Sequence, residues 1–287
     1  MSTAETPTTT RADRATARRR RRRRSIAIST ASTVIVLGGL AALILTSPGW
    51  PTVRRQFFSS SHFGAAFGSV LSGFWLDVRM FVIVELVVLA LGLLIALCRT
   101  VHAPVLFPLR ILAIVYVDLL RGVPTILVVY IVGFGVPALA LSGLPTGAVV
   151  LGGAALAMCY SAYVSEVFRA GIESIHPSQG AAALALGLTP AQALRHVILP
   201  QAVRRVAPPL LNDFISLQKD VALVSILGPQ EAFRVAQVFE ASQFNFTPLI
   251  AAALLYLCVT IPMTRIVDRL QVRSLRERGA ALALGPH

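Results

Sequence analysis

Two groups of polar and charged residues lie inside long apolar stretches of the sequence. The first group is Asp118, Arg121 and Pro124. The second group is a set of five residues at roughly helical spacing: Asn212, Asp213, Ser216, Lys219 and Asp220. Charged groups at membrane depth are costly, and they usually face a cavity or one another. If these stretches span a membrane, both groups are candidates for a solute pathway or its gate.

The first group has two interpretations. A proline removes a backbone hydrogen bond and kinks a helix, and Pro124 closely follows Arg121 and Gly122. The segment is either a packing kink in which Arg121 reaches toward the membrane boundary, or a broken helix at a gate. Asp118 precedes Arg121 by one helical turn, a spacing that permits an ion pair. For the second group, the alternative to a pathway is that residues 218–220 lie near the outer boundary, in contact with water.

The composition places these residues in a membrane protein. Of the 287 residues, 55% are apolar and 14% are charged, and the mean hydropathy is +0.73, whereas soluble domains have about 25% charged residues. No Asp, Glu, Lys or Arg occurs from Gly122 to Ser165 or from Ala241 to Thr264. A spanning helix needs about 20 apolar residues. We therefore predict an all-α membrane bundle with six spans, at about 26–46, 76–98, 106–136, 147–168, 206–228 and 245–265.

The distribution of basic residues predicts the orientation. Of the 26 Lys and Arg residues, nine lie in the first 24 positions, including the unbroken run Arg18–Arg24. With both termini inside, the inner segments carry 20 basic residues and the outer segments carry four, which fits the excess of positive charge on cytoplasmic loops. Anionic lipid and nucleic acid are alternative partners for the Arg run. We interpret residues 1–25 as a disordered cytoplasmic tail and residues 26–46 as a signal anchor, with membrane lipids and no nucleic acid as partners.

The sequence has no pattern of a catalytic or metal centre. Cys98, Cys159 and Cys258 all fall within apolar stretches, and the five histidines are scattered without metal-ligand spacing. A nucleotide-binding P-loop requires Gly-Lys-Ser/Thr, but the only lysine of the chain, Lys219, has no glycine loop beside it. We expect no catalytic residue, no metal and no cofactor on this chain, and any ATP to be used by another subunit.

Residues 169–205 have the local signals of a folded loop outside the membrane. Ser178 is a candidate N-cap for a helix over about residues 179–186. Gly187 suits the left-handed position that ends a helix.

A second short helix is predicted directly afterwards. Thr189 is a suitable N-cap, Pro190 fits the first helical position, and Gln192 fits the capping box. We expect this helix to run to about Val197 and to be ended by Pro200. Two capped helices outside the membrane indicate a docking site for a partner; the alternative is a loop that only packs beneath its own bundle.

Residues 166–202 resemble the "EAA" loop of ABC importer permeases, and within that class they resemble the polar amino acid subfamily. The residues concerned, with Ala181 at the first position of the triplet, are Glu166, Arg169, Gly171, Gln179, Ala181, Ala182, Ala183, Gly187, Leu199 and Pro200. Leu120–Pro124 resembles the Phe-Arg-Gly-Thr-Pro element of the same subfamily, and Lys219–Asp220 also falls where its pattern expects. The resemblance covers about residues 70–268 and leaves residues 269–287 as a cytoplasmic C-terminal tail.

The resemblance implies a fold and a function. Such permeases have a MetI-like core of five helices, to which this chain adds one N-terminal transmembrane helix. Their loop helix, here about residues 179–187, docks on a cytoplasmic ABC ATPase dimer. A second permease subunit, identical or related, completes the pathway, and an extracytoplasmic binding protein delivers the solute. The resemblance thus implies import of a polar amino acid or similar small polar solute across a bacterial cell (inner or plasma) membrane.

This sequence departs from the family pattern in two places. Ala181 replaces the Glu that opens the triplet, which removes a carboxylate that faces the ATPase in the family, and this favours a second permease of different sequence. Residues 221–223 are Val-Ala-Leu where the subfamily favours Ser or Thr, which argues against a polar role there.

Two other classes of function compete with an ATP-driven importer. An ion-gradient-driven secondary transporter or channel would explain charges within the membrane, but it does not explain the two-helix loop, and the chain lacks obvious internal repetition. A membrane-embedded enzyme would need clustered His, Asp or Glu at membrane depth, and the sequence has no such cluster.

Overall fold

The computed structural model describes residues 11–100 and 104–283, with the side chains of residues 24–100 and 104–272. Within these ranges all regular secondary structure is helical, which confirms the predicted all-α class. The α-helices in chain order are α1 (Arg11–Leu45), α2 (Trp50–Phe57), α3 (Ser60–Thr100), α4 (Phe107–Gly122), α5 (Thr125–Ala138), α6 (Ala148–Glu173), α7 (Pro177–Ala185), α8 (Pro190–Ala193), α9 (Leu199–Asp220), α10 (Ala232–Gln243) and α11 (Thr247–Ala283). Two 3-10 turns, Pro104–Leu106 and Val221–Leu227, and a π-helical turn, Leu194–Ile198, lie between them.

The chain divides into two compact units, Met1–Gln56 and Phe57–His287. In the first unit, α1 runs without a break from Arg11 through the Arg run into an apolar segment, and residues 24–45 are long and apolar enough to cross a membrane. The expectation of a disordered tail is therefore wrong for residues 11–24, while residues 1–10 lie outside the described residues. Arginine has high helix propensity, so the apolar segment can extend its helix through the run.

The second unit is built around the contact between α3 and α6. Small residues let the two helices approach closely. A side-chain carbon added at Gly92 would lie 2.7 Å from the Val164 side chain, and one added at Gly153 would lie 3.3 Å from Val84. The buried core at this contact also contains Leu156 and, from α9, Leu217.

A second buried cluster forms where α3 meets α10 and α11. Its main apolar members are Ala66, Val70 and Phe74 of α3 with Ala232, Ala236 and Ala252. Here too a glycine permits the approach, because a side-chain carbon at Gly73 would lie 2.7 Å from the Glu231 carbonyl carbon. The cluster fixes α10 against the first half of α3.

The third predicted span is broken at residues 123–124. Residues 104–122 and helix α5 are bent by 109° at this break, so together they form either a broken span or a re-entrant loop. Val123 and Pro124 have extended backbones, with ψ of 134° and 132°, because the residue before a proline is pushed out of the helical region. The structure therefore supports a broken helix, and the interpretation as a packing kink within one helix is wrong.

Residues 199–227 contain the most polar of the predicted spans. Four described helical segments are long and apolar enough to cross a membrane, or five with the bent pair, and the predicted span 206–228 is not among them. The segment is α9 followed by the 3-10 turn Val221–Leu227. The sequence predicts that Pro200 ends a helix. In the structure it lies in the first turn of α9, directly after the π-helical turn Leu194–Ile198, so this prediction is wrong.

Hydropathy located the helices but not their ends. The predicted span 76–98 is the second part of α3, which begins at Ser60, and the predicted span 245–265 is the first part of α11, which ends at Ala283. Helices continue beyond apolar stretches because backbone hydrogen bonding continues into water or into the headgroup layer.

Candidate coupling loop and solute pathway

The first loop helix, α7, is capped by a histidine. The Nδ1 atom of His176 accepts a hydrogen bond from the backbone N–H of Ser178 at 3.2 Å and is 2.7 Å from the Ser178 hydroxyl. The prediction that Ser178 caps α7 is therefore wrong. Pro177 occupies the first helical position, which proline favours, so the cap moves to the residue before it.

The end of α7 and the start of α8 follow the sequence prediction. Gly187 has φ of +83°, and the N–H of Leu188 bonds to the carbonyl of Ala183 at 3.2 Å, as in a helix ended by a left-handed glycine. The Thr189 hydroxyl accepts from the N–H of Gln192 at 3.3 Å, and the Gln192 side chain accepts from the N–H of Thr189 at 2.9 Å. These local bonds hold the two helices at a fixed angle.

The three alanines of the loop motif face in different directions. Ala183 is buried, whereas Ala181 and Ala182 are exposed, together with Gln179. Beside them, Leu186 is 84% exposed. Leu184 is exposed as well, at 49%, so the loop presents apolar surface to solvent.

Glu166 ties the loop end of α6 to the neighbouring helices. Its carboxylate forms ion pairs with Arg99 of α3 and, at 2.6 Å, with Arg169 of its own helix. Arg169 also pairs with Glu173 at 2.5 Å. Glu166 is mostly shielded from solvent, so these pairs are screened less than surface pairs.

Arg121 joins this network instead of pairing with Asp118. Its guanidinium lies 3.9 Å from the Glu166 carboxylate and 5.7 Å from the centre of the Tyr163 ring. Asp118 is exposed and has no ion pair among the described residues. The predicted pair between Asp118 and Arg121 is wrong because α4 packs on α6, which brings Arg121 within reach of α6. The residues next to the helix break are thus linked to the base of the loop.

The base of the loop packs closely on the start of α9. Gly171 faces the Val206 side chain so closely that any side chain there would displace it. Arg205 donates a hydrogen bond to the Ser174 carbonyl oxygen. Leu199 and Pro200 remain exposed at the start of the helix, and a cavity of about 710 Å³ lies between α6 and α9 here.

The second group of polar residues lies along one face of α9, within an arc of about 120° at 3.6 residues per turn, but its members differ in burial. Asn212 and Lys219 are exposed, and Ser216 is half-buried. Asp220 accepts a hydrogen bond from the Tyr160 hydroxyl of α6 at 2.8 Å. Asp213 has a buried carboxylate oxygen without a hydrogen-bond partner in the described part of the chain.

Sequence reasoning missed a buried acidic pair, Asp77 and Glu231. Asp77 accepts hydrogen bonds from the Tyr256 hydroxyl at 2.8 Å and from the N–H of Ala232 at 3.3 Å. Glu231 is 0% exposed and caps α10 by accepting from the N–H of Phe233 at 2.8 Å and of Arg234 at 2.6 Å. Burial, and next the negative charge of Asp77, raise the pKa of Glu231 to about 7. The two acids are far apart in sequence, and no local pattern joins them.

Comparison with known proteins identifies the family. Residues 88–276 match the family described as binding-protein-dependent transport system inner membrane component. The chain belongs to this family. Its members are transport permease subunits, and the ATP-driven importer is supported over an ion-gradient-driven transporter or channel.

The relatives cover most of this permease. A probable glutamine ABC transporter permease protein of Bacillus subtilis (strain 168) is 34% identical over 72% of this chain and 94% of its own length. An arginine transport system permease protein of the same organism is 32% identical over 68% and 87%. The crystal structure of an amino acid ABC transporter with histidines superposes with a TM-score of 0.64 at 30% identity, over 72% of this chain and 94% of that one.

A more distant structure has the same fold. The MetNI methionine ABC transporter superposes with a TM-score of 0.55 at 18% identity. The chain is thus a multi-pass membrane permease of an ABC importer, a class that works with an ATPase and a binding protein.

Proposed function

We propose that this permease imports a polar amino acid, or a similar small polar solute, delivered by an extracytoplasmic binding protein. The glutamine and arginine relatives support this substrate class. The chain itself holds no ATPase site and no cofactor, and a cytoplasmic ABC ATPase dimer supplies the energy. Both termini lie in the cytoplasm, as the distribution of basic residues indicates.

The coupling surface is the exposed face of α7. The observation that carries this proposal is a loop helix fixed at both ends, by His176 and by Gly187, that presents Ala181, Ala182 and Leu186 to solvent. Small and apolar residues permit close contact with a cleft on the ATPase. Ala181 makes this contact one of shape rather than charge.

Movement of the loop would reach the helix break through ion pairs. α7 follows α6, and Glu166 near the end of α6 contacts Arg99 of α3 and Arg121 beside the break. Such a chain of packed and charged contacts is a physical route for coupling. We propose that ATPase closure acts on α3 and on the break between α4 and α5 through this route.

The pathway candidates remain those of the sequence, with a ranking from the geometry. Arg121 and Pro124 lie at the helix break, while Asp213, Ser216 and Asp220 are at least half-buried in the bundle. Asn212, Lys219 and Asp118 are exposed on this subunit, and we propose that they face a second permease. That second subunit differs in sequence and carries the intact Glu of the motif.

A charge on α7 tests the coupling role. Ala182→Asp should abolish capture of the ATPase and reduce uptake at least tenfold, because a desolvated carboxylate would have no partner in an apolar contact. The matched control is Ser142→Asp, in the exposed turn between α5 and α6 at the far end of α6 from the loop. The measurements are co-purification of the ATPase in mild detergent and amino acid uptake by membrane vesicles.

Normal ATPase capture by Ala182→Asp would overturn docking through α7. The same purification identifies the subunits. Two distinct permease chains are expected, and a fully active complex with this chain as sole permease would contradict the proposal of a second, different subunit.

A further inference from the structure

A cavity of about 420 Å³ lies beside the helix break. It is bounded by the start of α5, the 3-10 turn Val221–Leu227 and α10. The lining residues that matter here are Ile126, Leu223, Ser225, Ile226, Arg234 and Gln237. Its volume lies within the range of about 300–1,000 Å³ found for small-molecule sites.

Arg234 brings to this cavity a positive charge that has no ion-pair partner among the described residues. Its Nε is buried and has no hydrogen-bond partner in the described residues, and no carboxylate lies within ion-pair distance of Arg234 in the same part of the chain. A partly buried cation without a partner is costly. The cavity therefore has the electrostatics of an anion site.

The nearest acid does not supply the missing partner. Glu231 precedes Arg234 by one turn, but its two carboxylate oxygens accept from the N–H groups of Phe233 and Arg234 and cap α10. Burial, together with the charge of Asp77, raises the pKa of Glu231 to about 7. The charge of Arg234 acts on Glu231 in the opposite direction and lowers its pKa, so the two groups attract each other, but no ion pair joins them in the described part of the chain.

The remaining walls suit an amino acid. Ile126, Leu223 and Ile226 are apolar, while Ser225 and Gln237 add polar groups, the mixture that fixes a small ligand in one orientation. An arginine guanidinium binds a carboxylate through two parallel hydrogen bonds.

We propose that Arg234 binds the α-carboxylate of the transported amino acid in this cavity, with the apolar wall receiving part of its side chain. The inference rests on the proposed function, because every α-amino acid brings this carboxylate whatever its side chain. Arg234 is thereby a general recognition residue, and selectivity among amino acids is left to other groups.

Direct binding to the purified complex tests this inference. The complex of permease and ATPase, without binding protein, is dialysed against radiolabelled L-glutamine or L-arginine, whichever the wild type takes up. Arg234→Gln should raise Kd at least tenfold, since a hydrogen bond to a charged group contributes about 1.5–3 kcal/mol. Arg234→Lys should lie between the two, because it keeps the charge but loses the paired geometry.

The matched control is Arg79→Gln, which removes an equally charged, exposed residue of α3 outside the cavity. Its Kd should stay within twofold of the wild type. Co-purification of the ATPase and basal ATP hydrolysis should be unchanged in all variants, which shows that the complex is intact.

If Arg234→Gln does not fold, a second experiment tests the inference through protection of a cysteine from a thiol reagent. With Cys98, Cys159 and Cys258 replaced by alanine, Gln237→Cys should react with a thiol reagent more slowly when the amino acid is present. Unchanged Kd in a folded Arg234→Gln complex, or no protection at position 237, overturns the inference. Normal uptake by a wild-type complex that binds no amino acid also overturns it and leaves the proposed function standing, whereas a wild type that takes up no amino acid overturns the proposed function itself.

Discussion

Helix α3 takes part in two shielded carboxylate sites at different levels, and the protein stabilises them in opposite ways. Near Arg99, the carboxylate of Glu166 is surrounded by guanidinium groups of three helices. Near Asp77, two acids lie together and are held by a tyrosine hydroxyl and backbone N–H groups. Asp77 and Arg99 are about 33 Å apart along the helix, at 1.5 Å per residue.

The difference shows what each site requires of its carboxylate. Around Glu166 the negative charge itself is needed, because without it the arginines repel one another. Around Asp77 and Glu231 only the acceptor oxygens are needed, and ionisation of both acids is unfavourable. Replacing a carboxylate by its amide separates the two cases, because the amide keeps the shape and loses the charge.

The largest effect is expected at Glu166. Glu166→Gln leaves Arg99 without a counter-charge and Arg169 with Glu173 alone, and it should destabilise the permease by about 3 kcal/mol, the lower end of the range for a broken buried ion pair. Glu173→Gln, whose carboxylate is 53% exposed, is the matched control and should cost less than about 1 kcal/mol. The two variants are compared by thermal unfolding in detergent, with aggregation of the protein as the signal. If both variants lost the same amount of stability, the Glu166 network would contribute no more than an exposed ion pair.

Replacement of Asp77 by asparagine should leave the stability unchanged, whereas replacement by alanine should lower it. Asp77→Ala leaves the Tyr256 hydroxyl and the Ala232 N–H without an acceptor and should cost about 1–3 kcal/mol. Asp77→Asn keeps an acceptor oxygen and adds a donor for Glu231, so its unfolding temperature should match the wild type. If Asp77→Asn unfolds as early as Glu166→Gln, the two sites do not differ in the proposed way.

The pH dependence should reveal Glu231. Its pKa is raised from the ordinary value of 4.5 to about 7 in the folded protein, so ionisation opposes folding. Stability should therefore be highest below about pH 4.5 with respect to this group and should fall as the pH rises toward 7 and above. The unfolding temperature should drop less between pH 5 and pH 8 in Glu231→Gln than in the wild type. A slope unchanged by Glu231→Gln would show that this acid does not titrate in the folded protein.

The smallest effect is expected from a change in backbone conformation within the loop. Gly187→Ala forces a side chain into a φ of +83° and should cost about 1 kcal/mol. Gly180→Ala lies inside α7, where the added carbon would lie 3.7 Å from Ile198, and should be neutral or slightly stabilising. The rate of protease cleavage within the loop measures the local stability of both variants. Cleavage of Gly187→Ala at the rate of Gly180→Ala would show that the left-handed turn does not limit loop stability.

The sequence predicts those features that depend on neighbouring residues. Gly187 and the Thr189–Gln192 capping box were found because each uses residues within one turn. The same local reasoning failed at Ser178, since it placed the cap without considering that Pro177 occupies the first helical position. The apolar runs located the four helical segments that are long and apolar enough to cross a membrane, because about 20 apolar residues in a row have few other uses.

Contacts between distant segments could not be predicted in this way. Arg121 has an acid one turn away, Asp118, yet it lies near Glu166 because α4 packs on α6. Asp77 meets Glu231 only because α10 packs beside α3. A single sequence contains no signal that joins such positions, so the charge network and the cavity at Arg234 became visible only in the folded chain.

The π-helical turn Leu194–Ile198 joins α8 to α9 without a gap in helical structure. Residues 190–220 are therefore helical throughout, but Pro208 and Pro209 lie inside α9, and a proline within a helix is the usual place for a kink. A tilt imposed at the loop would be taken up first at these two prolines, which act as a hinge between the loop and Asp220, the residue hydrogen-bonded to Tyr160.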